Sequence, residues 1–220
     1  MECAPRFSQM TAPPQSIPTF PQRLQEWILV HACPHHETIV APRKQTLLSD
    51  LHGAVLEIGP GIGVNLAYYP QDIRWTGIEP NPLLHPHLRA ALDARHIAGE
   101  FRFGSAESLG VPDDSLDAVV STLVLCTVPD VAATLREILR VLRPGGRFVF
   151  VEHVAAPRGT FTRACQRFVR PVWNYFGDGC HPDRETWKHI ESAGFSSVHL
   201  DHFRIPSPIV GPHISGFAVK

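Results

Sequence analysis

The chain of 220 residues lacks features that would place it in a membrane or on nucleic acid. Its apolar run at 27–30 is far shorter than the roughly 18 residues that a membrane span needs, and the N-terminus has no hydrophobic signal-peptide segment. Lysine plus arginine (20) nearly balance aspartate plus glutamate (21), so the net charge is −1. We therefore expect a cytoplasmic protein with no membrane span and no nucleic-acid partner.

Cysteine is scarce and irregularly spaced, which bears on disulfides and metals. The five cysteines form no C-x-x-C pair; they are Cys3, Cys33, Cys126, Cys165 and Cys180. We expect no disulfide framework, and we interpret Cys126 and Cys180 as small buried hydrophobes. The cluster of Cys33, His35 and His36 has no second ligand group at a recognised spacing, so the sequence predicts no metal site.

From residue 54 onward, apolar runs alternate with helical patterns, as is typical of an α/β fold. The runs predict strands at 54–58, 73–79, 101–103, 116–122, 148–151, 197–202 and 214–219. Helices are predicted at 64–70, 83–95, 131–142 and 184–193, and a turn at 144–146. We expect a Rossmann-like, doubly wound, mostly parallel seven-stranded sheet with an antiparallel C-terminal hairpin strand.

Two segments fall outside this alternation. Five prolines make residues 1–21 an expected disordered tail. Residues 22–220 then form a single domain, in which 22–50 are a helical cap and the aromatic-rich stretch 155–182 is an insertion that covers the site as a lid.

The cap is predicted to contain two helices. Leu24, Trp27 and Ile28 have helical spacing and predict a short amphipathic helix at 21–31. Its apolar face suits peripheral contact with a membrane. A second helix is expected at 37–48, with an interruption at Pro42.

A glycine-rich turn directly follows the first predicted strand. Its glycines are Gly59, Gly61 and Gly63, and Glu79 stands twenty residues after the first of them, at the end of the second strand. The glycines permit a sharp turn and close approach of a ligand to the backbone. A carboxylate at the strand end can accept hydrogen bonds from both ribose hydroxyls. The pattern predicts a pocket for a ribose-bearing cofactor.

Several motifs around this turn together resemble the class I S-adenosylmethionine-dependent methyltransferases. They are Glu57 before the turn, Ser105-Ala106-Glu107 after the third strand, and the L-R-P-G-G segment at 142–146 before the fifth. The resemblance covers residues 53–152 and implies S-adenosyl-L-methionine as the cofactor. It implies contacts from Glu57, Gly59, Gly61, Gly63, Glu79, Pro80, Asn81, Ser105, Ala106, Glu107, Thr122 and Leu123.

The resemblance also implies a role for each of these positions. The glycines would lie beneath the methionine and ribose, with Glu57 below them, and Glu79 would bind the ribose. Adenine would lie between the 80–81 and 105–107 segments, with the Ala106 amide as a donor. The family often has an acidic residue where Ser105 stands, usually near the adenine amino group. Thr122 and Leu123 would form the floor near the sulfonium.

Later segments are similar to the animal alkyl-thiol S-methyltransferases of the methyltransferase-like group. These segments lie at 121–128, 150–156, 176–180 and 212–220, and the resemblance covers about 50–220. It implies methyl transfer to a small, apolar acceptor with a thiol. An oxygen, nitrogen or carbon acceptor of a quinone-like molecule or natural product is the alternative, as is a non-catalytic cofactor-binding protein. Both a monomer and a homodimer fit the sequence.

A thiol has a pKa of about 8.5, so a modest base suffices to expose its thiolate. The candidates for a catalytic role are His153, at the end of the fifth strand, and Asp178 in the insertion, with His181 and His213 as further histidines near the site. His153 is equally well explained as a hydrogen-bond partner of the insertion. Asp178 precedes a glycine, and that pair is also common in turns.

Overall fold

The structure, a computed structural model, describes residues 17–31 and 34–220. The predicted tail up to residue 16, together with Cys3 and Cys33, lies outside the described residues. The strands are β1 Ala54–Ile58, β2 Arg74–Ile78, β3 Gly99–Arg102, β4 Leu116–Thr122, β5 Leu142–His153, β6 Ser197–Arg204 and β7 Pro212–Val219. They form a seven-stranded sheet in the order β3-β2-β1-β4-β5-β7-β6.

The pairing of the strands confirms the predicted fold class. Strands β1 to β5 pair in parallel, whereas β7 is antiparallel to both of its neighbours, β5 and β6. The order reverses between β1 and β4, and a ligand crevice is expected at the carboxyl ends of the strands where this happens.

The described helices are α1 Phe20–His31, α2 Pro34–Leu48, α3 His85–Arg95, α4 Val131–Val141, α5 Phe161–Phe176 and α6 Thr186–Glu191. One face of the sheet packs on α4 and α6, and the other packs on α2 and α3. In β5, Phe148 and Phe150 face the α4 side and Val149 faces the other. This strand is therefore buried on both faces, as its unbroken apolar run predicts. In residues 17–31 and 34–220, no helix combines the length and apolarity needed to cross a membrane.

The helix predicted at 64–70 and the interruption predicted at Pro42 were wrong, whereas the turn predicted at 144–146 lies within the bounds of a strand, where β5 leaves its pairing with β4 between Leu142 and Arg147. The helix expected at 64–70 is a single 3-10 turn, Val64–Ala67, because the Asn65 side chain turns inward to bond Glu57 and Pro70 follows closely. At 144–146, the amide of Gly145 donates to the Lys220 carbonyl. Helix α2 runs through Pro42 without interruption.

Candidate active site

The carboxyl ends of β1, β2 and β4 open into a cavity of about 1010 Å³. The cap helices α1 and α2 cover it from one side, and the turn after α5 contributes to another wall. Most of the predicted site residues line it: Glu57, Gly59, Gly61, Glu79, Pro80, Ser105, Ala106, Glu107, Thr122, Leu123 and Asp178. Gly63, Asn81 and His153 lie behind its wall.

The glycines of the turn serve two different purposes. Gly61 has a φ of +60°, and a Cβ built on it would find only the Leu29 Cδ1 atom nearby, at 3.5 Å. Gly63 has a φ of +82°, but its Cβ would lie 2.9 Å from the Ala91 Cβ and 3.0 Å from the Leu88 Cδ1 of α3. Gly61 therefore keeps the cavity open, whereas Gly63 lets the turn pack against α3.

Glu79 is a buried carboxylate that the backbone holds in place. Its Oε2 accepts a hydrogen bond from the Gly61 amide at 2.9 Å, and its Oε1 accepts one from the Asn81 amide at 2.8 Å. Burial, helped by the nearby charge of Asp178, raises the pKa of Glu79 to about 7 against the lowering effect of these two amides. Each oxygen still has a lone pair for a hydroxyl donor from the cavity.

Glu57 anchors the opposite end of the turn. It accepts hydrogen bonds from Asn65 Nδ2 at 2.7 Å, the Tyr69 hydroxyl at 2.9 Å and Trp75 Nε1 at 3.1 Å. Burial raises its pKa despite these donors. Three donors leave Glu57 little capacity for a ligand, so its main effect here is to orient its neighbours.

Asn65 is a cavity residue that the sequence analysis did not single out. Its Nδ2 bridges Glu57 and the Thr122 hydroxyl, at 2.7 Å and 2.9 Å. Its Oδ1 is buried and has no hydrogen-bond partner within the described part of the chain. An acceptor in this state suits a cationic donor such as an ammonium group.

The cap contributes a buried ion pair that the sequence analysis also missed. Lys44 and Glu37, both on α2, pair at 2.7 Å and line the cavity, and the Lys44 side chain is only 2 % exposed. The Tyr68 hydroxyl donates to Glu37 at 2.8 Å. The seven-residue spacing puts both charges on one helix face, a weak signal that the sequence does carry. The pair supplies a cation for a ligand carboxylate.

Asn81 has a structural role behind the wall. Its Nδ2 donates to the Gln22 carbonyl at 3.1 Å and to Gln25 Oε1 at 2.8 Å, which ties α1 to the loop after β2. Its Oδ1 accepts from the Leu83 amide at 3.1 Å. These bonds show that Asn81 also holds the cap, in addition to the adenine contact predicted for it.

Ser105 and Glu107 form a polar turn at the cavity edge. The Ser105 hydroxyl donates to the Glu107 carboxylate, and the other oxygen of that carboxylate accepts from the Asp130 amide at 3.2 Å. Both residues and Ala106 between them line the cavity. Where the family often has an acid at position 105, this chain has a hydroxyl that orients the acid two residues later.

The four proposed acid–base residues occupy different places. Asp178 lines the cavity, and burial raises its pKa. His153 is buried behind the wall, with its Nε2 3.1 Å from the Cys180 sulfur. His181 and His213 also lie behind the wall and contact Asn174 Nδ2 at 3.2 Å and His36 Nε2 at 3.3 Å.

Comparisons with known proteins agree with this geometry. The family described as "Methyltransferase domain" matches residues 56–150. The chain is 41% identical over 194 residues to the human thiol S-methyltransferase TMT1A, covering 82% of this chain and 80% of that protein. It is 44% identical over 185 residues to the mouse thiol S-methyltransferase TMT1B, covering 79% and 75%.

The chain belongs to the class I S-adenosylmethionine-dependent methyltransferases. Its fold is also that of a chain in the complex between the Haloferax volcanii Trm112 methyltransferase activator and a methyltransferase. That match has a TM-score of 0.71 at 19% sequence identity and covers 93% of this chain and 99% of the other. At this identity the likeness concerns the fold alone.

The residues of the cavity fit S-adenosylmethionine, the cofactor of this methyltransferase class. The carboxylate oxygens of Glu79 would suit the ribose hydroxyls, and Gly61 leaves room for a ligand against the backbone. At the Glu57 end, the unpaired Asn65 oxygen suits the amino group of the methionine, and Lys44 suits its carboxylate. The cavity thus complements the ribose and both charges of the amino acid.

Proposed function

We propose that this methyltransferase methylates the thiol of a small, apolar acceptor, with the predicted cofactor residues in the roles given above. The observation that carries this proposal is a largely apolar cavity with one acidic side chain that belongs neither to the predicted cofactor residues nor to the Lys44–Glu37 ion pair. Its apolar wall is formed by Leu29, Val30, Ile62, Val64, Val128 and Pro129, and the acid is Asp178. The names of the relatives supply independent support for a thiol.

When bound, S-adenosylmethionine supplies an electrophilic methyl group. The protein then has to hold the acceptor in line with it, exclude water, and accept the proton that the thiol releases when its sulfur is methylated. Asp178 suits the last task because it lines the cavity within a tight turn, where its φ is +50°. Cys180 lies two residues after Asp178 in the same turn, and His153 contacts its sulfur. We therefore assign His153 a role in positioning this turn.

The direct test is transfer of labelled methyl from S-adenosylmethionine to a panel of acceptors. The panel contains an alkyl thiol, an aryl thiol, hydrogen sulfide, a catechol, a quinol and an amine. We expect a methylated thioether as the product. Product from the quinol, catechol or amine instead would overturn the thiol assignment, and cofactor binding without any product would favour a non-catalytic role.

Replacing Asp178 with Asn should separate acceptor positioning from cofactor binding. Loss of one hydrogen bond to a charged group costs about 1.5–3 kcal/mol, so kcat/KM for the thiol should fall roughly 10- to 100-fold. The Kd for S-adenosylmethionine should stay close to that of the parent protein. The matched control is Asp183→Asn. Asp183 is also an aspartate of this segment, but it pairs with Arg170 at 3.5 Å and does not line the cavity. Equal activity in both variants would remove Asp178 from the proposal.

We also propose that α1 and α5 together rest on a lipid surface. Helix α5 turns its apolar residues outward: Phe161 is 84% and Phe168 is 86% exposed, and Val172 and Tyr175 continue the same stripe. Its inward face carries the buried Gln166, which bonds the Ala156 amide at 2.7 Å. A helix with this inverted arrangement suits a membrane interface better than water.

Helix α1 extends this apolar surface, as its predicted amphipathic pattern suggests. Trp27 is 55% exposed, and Phe20 makes an edge-to-face contact with Phe176 of α5 at 6.2 Å. Exposed arginines on α5, such as Arg167, favour an anionic lipid. The proposed occupant of this surface is therefore an anionic bilayer.

Sedimentation with phosphatidylcholine vesicles, with and without phosphatidylserine, tests this contact. The parent protein should co-sediment, more so with the anionic lipid, and the Phe161→Ser/Phe168→Ser variant should lose most of this binding. The Phe161→Leu/Phe168→Leu variant, which keeps the apolar area, should retain it. Absence of binding, together with a concentration-dependent dimer that the Ser variant abolishes, would assign the surface to a second copy instead.

A further inference from the structure

Behind the cavity wall, the fold brings together three side chains that lie far apart in the sequence. Cys126 follows β4, His153 is the last residue of β5, and Cys180 lies in the turn after α5. Their candidate ligand atoms all lie within 4.8 Å of one another, and all three side chains are buried. His153 Nε2 is 3.1 Å from the Cys180 sulfur.

We propose that Cys126, His153 and Cys180 form a binding site for a single thiophilic divalent cation, best matched by Zn²⁺. Two thiolates and one imidazole are soft or borderline ligands, which favour zinc over magnesium or calcium. Two thiolate charges cancel the charge of the ion, so the loaded centre is neutral and suits a buried position. Zinc sites with three protein ligands of this composition keep a fourth position for a water or another small ligand.

The position of the cluster indicates what the ion would do. Thr127, which follows Cys126, lines the cavity, and so do Asp178 and Gly179, which precede Cys180. A backbone hydrogen bond already joins the two segments, from the His181 amide to the Cys126 carbonyl at 2.8 Å. A shared ion would clamp the loop after β4 to the turn that carries Asp178. This consequence for the acceptor rests on the proposed function, whereas metal binding itself does not.

Metal content tests the site independently of any methyl acceptor. The full-length protein, purified under reducing conditions after growth with added zinc and then dialysed, should retain a single zinc ion per chain by plasma mass spectrometry. Cys126→Ser and Cys180→Ser should each weaken zinc binding at least roughly tenfold, as titration against a chromogenic chelator would measure. Replacement by Co²⁺ should give a thiolate-to-cobalt charge-transfer band that weakens in either variant.

Matched controls come from the remaining cysteines. Cys165 lies on α5 outside the cluster and is partly exposed, so Cys165→Ser should keep the metal. The Cys3→Ser/Cys33→Ser variant should keep it as well. Circular dichroism on each variant distinguishes loss of a ligand from loss of the fold.

Two results would overturn the metal site. One is parent protein that retains no more zinc or cobalt than the Cys126→Ser/Cys180→Ser variant, with both of them folded. The other is reduced parent protein that takes up neither zinc nor cobalt while its Cys126 and Cys180 join in a disulfide on mild oxidation, which would identify the cluster as a redox pair. If the protein retains zinc but methylates no thiol, the metal site is supported and only the proposed acceptor is overturned.

Discussion

Replacing Glu79 with Ala is expected to weaken S-adenosylmethionine binding by roughly 10²- to 10⁴-fold. The carboxylate can accept two hydrogen bonds from the ribose, and each such bond to a charged group contributes about 1.5–3 kcal/mol. The variant would also leave the Gly61 and Asn81 amides without their present acceptors, which loosens the turn. Titration calorimetry measures the loss.

Two control variants show whether a loss of affinity comes from the Glu79 carboxylate itself. Glu79→Gln retains the size of the side chain and one acceptor oxygen, so its affinity should be intermediate. Glu100→Ala removes an exposed carboxylate of β3 that pairs with Arg102, and it should bind the cofactor like the parent protein. Parental affinity in Glu79→Ala would refute the ribose assignment.

The raised pKa of Glu79 gives the same site a pH dependence. With a pKa of about 7 in the ligand-free protein, the carboxyl is largely protonated in mild acid. The ribose hydroxyls donate to the ionised form, so cofactor affinity should rise as the pH passes upward through about 7 and then level off. Below that pH, binding should release a proton, which calorimetry in buffers of different ionisation enthalpy detects. Glu79→Gln should abolish both effects.

The same pKa shift makes the folded protein less stable as the pH rises, whereas it makes cofactor binding stronger. A folded-state pKa above the ordinary value of 4.5 means that the folded protein holds this proton more tightly than the unfolded chain. The resulting contribution to stability is complete below the ordinary pKa of a glutamate and is lost as the pH rises through about 7. Ligand-free Glu79→Gln should lack this loss of stability in thermal unfolding.

Replacing Gly61 with Val is expected to reduce cofactor binding below detection while the protein stays folded. The new side chain would point into the cavity, where the Leu29 Cδ1 is the nearest atom at 3.5 Å. A β-branched residue at a φ of +60° is also strained, which should lower the free energy of unfolding by about 1–2 kcal/mol. Calorimetry and circular dichroism separate the two effects.

Gly63→Val is the informative comparison because the two glycines lie in the same turn. Its side chain would clash with Ala91 and Leu88 of α3, so its main effect should be a larger loss of stability. Normal cofactor affinity in folded Gly61→Val would show that the cofactor does not lie against this turn.

Local patterns explain why the fold and most of the residues that line the cavity could be predicted. Strands β1 and β4 are short, mainly apolar segments that end at a glycine turn and at a loop, and the structure gives both the predicted bounds. Because the carboxyl ends of parallel strands meet at one edge of the sheet, residues that follow different strands converge there. Glu79 and Thr122 reach the same cavity for this reason.

Side chains that act behind or beside the site gave no such local signal. Asn81 follows the expected strand end, but its amide group bonds α1, and His153 ends β5 yet faces Cys180 instead of the cavity. Lys44 and Glu37 meet the cavity only because α2 packs across the strand ends. Helix α5 shows amphipathic spacing in the sequence, but spacing alone does not say that its apolar face points outward.

The sequence by itself determined the class of protein: hydrophobic periodicity specified the sheet, and the glycine turn with its distant carboxylate specified a pocket for a ribose-bearing cofactor, which the resemblance of the surrounding motifs identified as S-adenosylmethionine. Both depend on interactions between residues close in the chain, or on the fixed geometry of parallel strands. Only the tertiary structure decided which polar groups meet across the chain, such as Cys126, His153 and Cys180. Those contacts depend on the packing of loops and helices, whose directions are set by the whole core and not by any local pattern.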